Sequence, residues 1–179
     1  MAIVVVMAAF VLPFTRTTLN AMSLNNDARN LTSGVSLAKM RAAAYFTQAR
    51  LYVDLAGRSF HVERWQKTGV PGWVTEGVTT TLSSTASFGF AGVGAPPPNT
   101  QAAIGQAPPC LNAAGQAIAG TACEVFNSRG VPIDDTNAPF GSGAFYVSDG
   151  SVVFGVTISA GGLIRLWRAN VVGGTWALY

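Results

Sequence analysis

Residues 1–12 carry no polar side chain, and the run stops at Pro13. As helix these residues would span about 18 Å, short of the roughly 20 residues that cross a bilayer. A secretory signal peptide would carry an early Lys or Arg, yet the first charge is Arg16. The run therefore reads as part of a membrane helix, as an apolar helix end meant for burial in an assembly, or as a core helix of a soluble protein. At about 25 cal/mol per Å² it cannot be left in water, so lipid or neighbouring copies must cover it. The side chains concerned are Ile3, Val4, Val5, Val6, Met7, Phe10, Val11 and Leu12. Pro13 removes a backbone donor and disfavours helical geometry at Leu12, so a kink or melted stretch is expected near 12–16.

From residue 14 to 50 the pattern is that of a long amphipathic helix. Leu24, Ala28, Leu31, Val35, Ala38, Ala42 and Tyr45 recur at spacings of three and four, with Phe46 and Ala49 beside them. Ala38, Ala42, Ala43 and Ala44 would let a sheet approach closely, and Gly34 lowers helix propensity by about 1 kcal/mol. After Arg50 the period drops to two. Leu51, Val53 and Leu55, a turn at Ala56, Gly57 and Arg58, then Phe60 and Val62 predict a hairpin over 51–65. Residues 68–122, rich in Gly, Pro, Thr, Ser and Ala, read as a long surface insertion with strands near 73–81 and 87–90. Strands follow at 123–127, 144–148, 152–159, 163–170 and 175–179, with Asp149-Gly150 and Gly161-Gly162 as hairpin turns. The expected class is α+β: an apolar segment 1–13, an amphipathic helix 14–50 packed on one antiparallel sheet, and a β-rich head 51–179.

Composition narrows the chemistry. Charged residues are 11% of the chain and the net charge is +3, with the basic residues scattered, which excludes a polyelectrolyte and gives no nucleic-acid stripe. One His and two Cys cannot fill a four-ligand zinc site unaided. His61 is the only imidazole, with Glu63 on the same strand face, and a catalytic triad is not indicated. Asp134, Asp135 and Asn137 are a weak calcium candidate, read more readily as turn formers. Asn30-Leu31-Thr32 is a sequon inside the predicted helix and is discounted. No enzyme activity and no cofactor are expected.

An apolar helix closed by Pro13, an amphipathic continuation through Ala28-Arg29 and a β-rich head together resemble a type IV pilin or type II secretion pseudopilin. Glu124 to Pro132, with Phe126, Arg129, Gly130 and Pro132 in the motif positions, and the hairpin 152–166 with its Gly161-Gly162 turn and Arg165, are similar to the GspH/FimT class. The resemblance covers the helix and the last third and leaves 68–122 unmatched. Family members carry a carboxylate five residues into the mature chain, where this sequence has Val5, so the resemblance implies further residues ahead of Met1.

The resemblance implies a structural subunit that polymerises through its N-terminal helix into a helical homopolymer or mixed pilus. It would reside in the bacterial inner membrane before assembly and in an extracellular or periplasmic filament afterwards, with the pilus or secretion assembly machinery as partner. A head-to-tail contact that does not close gives a filament rather than a ring. In an exported, loop-rich head Cys110 and Cys123 are expected to form a disulfide, stabilising by about 3 kcal/mol. The alternative implied by FimT-like relatives is a DNA-binding minor pilin, with Arg165 and Arg168 on phosphates and Trp167 stacking on a base.

Overall fold

The computed structural model describes residues 2–179, and side chains from Asn20 onward. Helix α1 (Ala2–Ala44) is continuous. The backbone stays helical through Pro13, so the melted stretch expected near 12–16 is absent. From Leu24 the apolar stripe is buried: Leu24, Ala28, Leu31, Val35, Ala38 and Ala42 are all 0–1% exposed. Each buried Leu or Val side chain contributes about 1.5–3 kcal/mol.

The helix ends six residues earlier than its pattern suggests. Phe46 takes a left-handed backbone, φ 50°. Its N–H donates to the Ala43 carbonyl at 3.3 Å, and that of Thr47 donates to Ala42 at 3.2 Å. These two bonds close a Schellman cap, a position that usually carries Gly. Tyr45 is therefore not part of the buried stripe; it is 48% exposed, and Ala43 and Ala44 are exposed with it.

The single expected sheet is two. The first contains β1 (Ala49–Asp54), β2 (Ser59–Gln66), β3 (Gly72–Thr81), β5 (Thr121–Phe126) and β6 (Pro132–Ile133), in the order β3-β2-β1-β5-β6. The second contains β4 (Ser87–Phe88), β7 (Gly143–Ser148), β8 (Val152–Ile158), β9 (Ile164–Asn170) and β10 (Trp176–Leu178), in the order β10-β9-β8-β7-β4. Every pairing is antiparallel. The split arises because β5 returns to pair with β1, Tyr52 opposite Cys123, while the chain after β6 builds its own meander from β7 to β10.

Helix α1 lies across the inner faces of both sheets. One core joins its stripe to Leu51, Val53, Phe60 and Phe126 of the first sheet and to Phe145, Val147, Phe154, Val156 and Ile158 of the second. Gly34 sits where the helix meets β1 and β2, since a Cβ there would lie 2.9 Å from Leu51 Cδ1. Asp27, also on α1, is buried and accepts from both the backbone N–H and the hydroxyl of Ser83, tying the helix to the chain after β3. Strand β3 is the free edge of the first sheet, and its register against β2 shifts between Phe60 and Val62. Gly77 there has φ 78° and Val78 is 86% exposed, so the edge bulges outward.

The insertion 68–122 is less superficial than its composition suggests. Beside β3 and β4 it contributes Leu82, Ala86, Val93, Ala107 and Cys110 to the interior. A second cluster, on the face of the second sheet away from α1, joins Val93 to Ala144, Tyr146 and Val153. The cover is held by polar bonds: Gln106 pairs through both side-chain ends with the Tyr146 backbone at 2.9 Å, and the Tyr146 hydroxyl donates to Gln101 at 2.7 Å.

Candidate functional site

The apolar run, Ile3 to Pro13, lies outside the residues whose side chains are described, so the structure adds only its helical backbone. Among the described residues no helix is long and apolar enough to cross a membrane.

Cys110 and Cys123 form a disulfide, with Cα atoms 4.9 Å apart. It anchors a strap running from the second sheet to the first. The Ala107 N–H donates to the Ala144 carbonyl of β7 at 2.6 Å, and the Cys123 N–H of β5 donates to Pro108 at 2.8 Å. The Cys110 N–H donates to the Thr121 hydroxyl at 3.0 Å. Beyond the bridge, Arg50 Nη1 donates to the Leu111 carbonyl at 2.6 Å.

Arg50 itself is buried on the face of the first sheet away from α1. Its Nε donates to Glu63 at 2.6 Å and its guanidinium lies 3.9 Å over the Trp73 ring. Burial pulls its pKa below the usual value, against the Glu63 carboxylate and the hydrogen bond to it, which hold it up. His61 sits 3.2 Å from the other Glu63 oxygen and stacks on Tyr52. Among the described residues no serine hydroxyl bonds to His61; Arg50 and Glu63 form an ion pair with the imidazole at its rim.

The two motif segments meet at a residue not singled out from sequence. Lys39 of α1 donates to the Gly162 carbonyl at 2.8 Å. A Cβ on Gly130 would lie 3.2 Å from the Lys39 stem, and one on Gly162 would lie 2.9 Å from the Gly130 carbonyl. The Arg129-Gly130 turn and the Gly161-Gly162 turn are thus pinned together against the helix.

The three residues proposed for DNA are not brought together. Arg165 and Arg168 are three apart on β9, an odd step, so they point to opposite faces. Trp167 is 9% exposed and donates to the Thr157 hydroxyl at 2.9 Å, which leaves no open ring face for stacking. Arg165 lines a hollow of about 110 Å³ with Asn99, Thr100 and Ser159, while Arg168 lies on the α1 side.

Asp134 closes a turn: one carboxylate oxygen accepts from the Thr136 N–H and hydroxyl and from the Ala138 N–H, at 2.7–2.9 Å. The Thr136 hydroxyl and these backbone donors hold its carboxyl below the usual range. Asn137, at φ 65°, accepts from Gln48, and Asp135 completes the loop. Among the described residues no cluster of three or more His, Cys, Asp or Glu side chains is placed to hold a metal.

The most unusual group is Glu124 on β5. Ala122, Glu124 and Phe126 alternate onto the core face, and Glu124 is 1% exposed with neither carboxylate oxygen hydrogen-bonded. It lies where β5 passes β7, so close to Gly143 that a Cβ there would fall on the carboxylate. Burial pushes its pKa up to about 8. The sequence signal was available: an acid at an inward position of an alternating strand.

No protein-family model matches the sequence, and no curated protein matches it. In structure the chain is similar to the minor pseudopilin EpsH from the type 2 secretion system of Vibrio cholerae, with a TM-score of 0.48 and 15% identity over 80% of this chain and 95% of that one.

Proposed function

We propose that the protein is a structural subunit, a pilin or pseudopilin, that polymerises through the N-terminal part of α1. The observation that carries this is the division of one helix into two uses. Its buried stripe begins at Leu24, yet the helix starts at Ala2 and its first twelve residues hold no polar side chain. A wholly apolar helix end is costly to leave in water, so its surface needs a host in lipid or in neighbouring copies. An inner membrane would hold the segment before assembly and a bundle of identical helices afterwards, two environments of similar polarity, with the assembly machinery driving the transfer. The product would be an extracellular or periplasmic filament, of a type IV pilus or of a type II secretion system.

The test is polymerisation of the full chain carrying Val5→Asp, beside a chain lacking residues 1–19. A carboxylate in an apolar bundle is unpaired and strongly disfavoured. Fibres should vanish in electron micrographs of both, while near-native circular dichroism of the head persists. Normal fibres from either protein refute the reading. The DNA-binding alternative through Arg165 and Arg168 has less behind it, because the two guanidinium groups diverge and Trp167 is occupied. A salt-sensitive mobility shift abolished by replacing both with Ala would restore it.

A further inference from the structure

We propose that Glu124 is a proton-held latch: its carboxyl is seated in neutral form in the seam between β5 and β7, and its ionisation loosens that seam and the disulfide strap that closes it. The proposal stands apart from the filament reading and concerns the head alone.

The geometry requires a neutral group. The side chain is 1% exposed, both oxygens lack partners, and the carboxyl occupies space that a Cβ at position 143 would fill. An isolated carboxylate in such a site is far costlier than a carboxylic acid. Among the described residues no cation is placed to offset it. Four elements pack on β5, namely α1, β1, β6 and β7, and their titratable groups among the described residues are engaged elsewhere. On α1, Asp27 is bonded to Ser83, Lys39 to the Gly162 carbonyl, Arg29 to Asn25, and Arg41 lies beside Glu76. On β1, Arg50, Tyr52 and Asp54 alternate onto the opposite face of the sheet, where Arg50 holds Glu63. On β7, Tyr146 donates to Gln101 on the side away from α1, and β6 carries no titratable side chain.

The strap is the part that yields. Ala107, in the same core, bonds to Ala144 next to Gly143, and Cys123, bridged to Cys110, is the chain neighbour of Glu124. Water entering to solvate a carboxylate must part β5 from β7, which belong to different sheets and share no backbone pairing, so the strap is what ties them.

The sign follows from linkage. The folded carboxyl keeps its proton to about pH 8, whereas the unfolded chain releases it near the ordinary value of 4.5. Between those values the unfolded state binds fewer protons, so stability falls as pH rises, and the loss is complete above the folded value. Between pH 5 and pH 7 the unfolding constant should rise roughly 70-fold from this group alone.

The experiment uses the full chain in detergent micelles, wild type and Glu124→Gln, with unfolding followed from pH 5 to 9. The Gln variant, which keeps the shape and cannot ionise, should lack the roughly 70-fold rise seen as the difference between the two proteins. Amide exchange at Ala107 and Cys123 should accelerate with pH more in wild type than in the variant. If the variant does not fold, carboxyl-carbon NMR of the native protein decides: a Glu124 titration midpoint well above the ordinary range supports the latch. A midpoint in the ordinary carboxylate range, or identical pH profiles for the two proteins, overturns it.

Discussion

Opening the Cys110–Cys123 bridge gives a cost that can be worked out beforehand. The bridged residues are separated by 13 positions, and restricting an unfolded loop of that length stabilises the native state by about 3 kcal/mol. In the folded head the strap keeps its other ties, to Ala144, Thr121 and Arg50, so little native structure should change when the sulfurs separate. In a chain of this size about 3 kcal/mol corresponds to a fall in Tm of roughly 6–12 °C. Cys110 is 0% and Cys123 6% exposed, so reduction should be carried out in denaturant before refolding. The reduced wild type and Cys110→Ala/Cys123→Ala are then compared with the oxidised protein by urea unfolding. The double variant also removes two buried sulfur atoms and should fall about 1 kcal/mol further. The helical signal should persist in both. If oxidised and reduced proteins unfold within about 1 kcal/mol of each other, the loop-entropy account is wrong.

Replacing Arg50 by Met keeps an apolar chain of similar length beside Trp73 but removes the guanidinium over its ring, leaving Glu63 with only His61 and the Leu111 carbonyl without a donor. A loss of about 3 kcal/mol in urea unfolding is expected, largely recovered when Glu63→Gln is added. Lys39→Met removes the tie to Gly162; amide exchange should quicken at Gly130 and Gly162, while global stability falls by no more than about 1.5 kcal/mol.

What could be read from the sequence was what is encoded locally. The 24–42 stripe, the first hairpin and the Asp149-Gly150 turn follow from spacing and turn chemistry, and the structure has Asp149 accepting from the Ser151 and Val152 N–H groups. The end of α1 was hidden because Phe46, not Gly, takes the left-handed cap position. The division into two sheets was hidden because it depends on β5 returning across about 70 residues to β1, a choice made by packing. The tie of 88–107 to the second sheet rests on Gln101 and Gln106, which look like surface residues until their backbone partners are known. In the candidate site the cysteine pair was legible once the resemblance implied an exported, loop-rich head. Lys39 was not, since it reads as an ordinary solvated lysine. Grouping Arg165 with Arg168 failed on strand parity, a test the sequence alone permits.

The outward step in β3 has a bearing on solubility. A ten-residue edge strand with Val74 and Val78 exposed, and without lysine or proline, offers unpaired backbone groups to any passing extended chain. The irregularity at Gly77 breaks that row into two short stretches whose donors and acceptors no longer lie in one line. A stranger's strand can match either half but not both. Crowded copies can therefore sit with these edges side by side and still remain separate molecules, leaving adhesion between them to surfaces chosen for it.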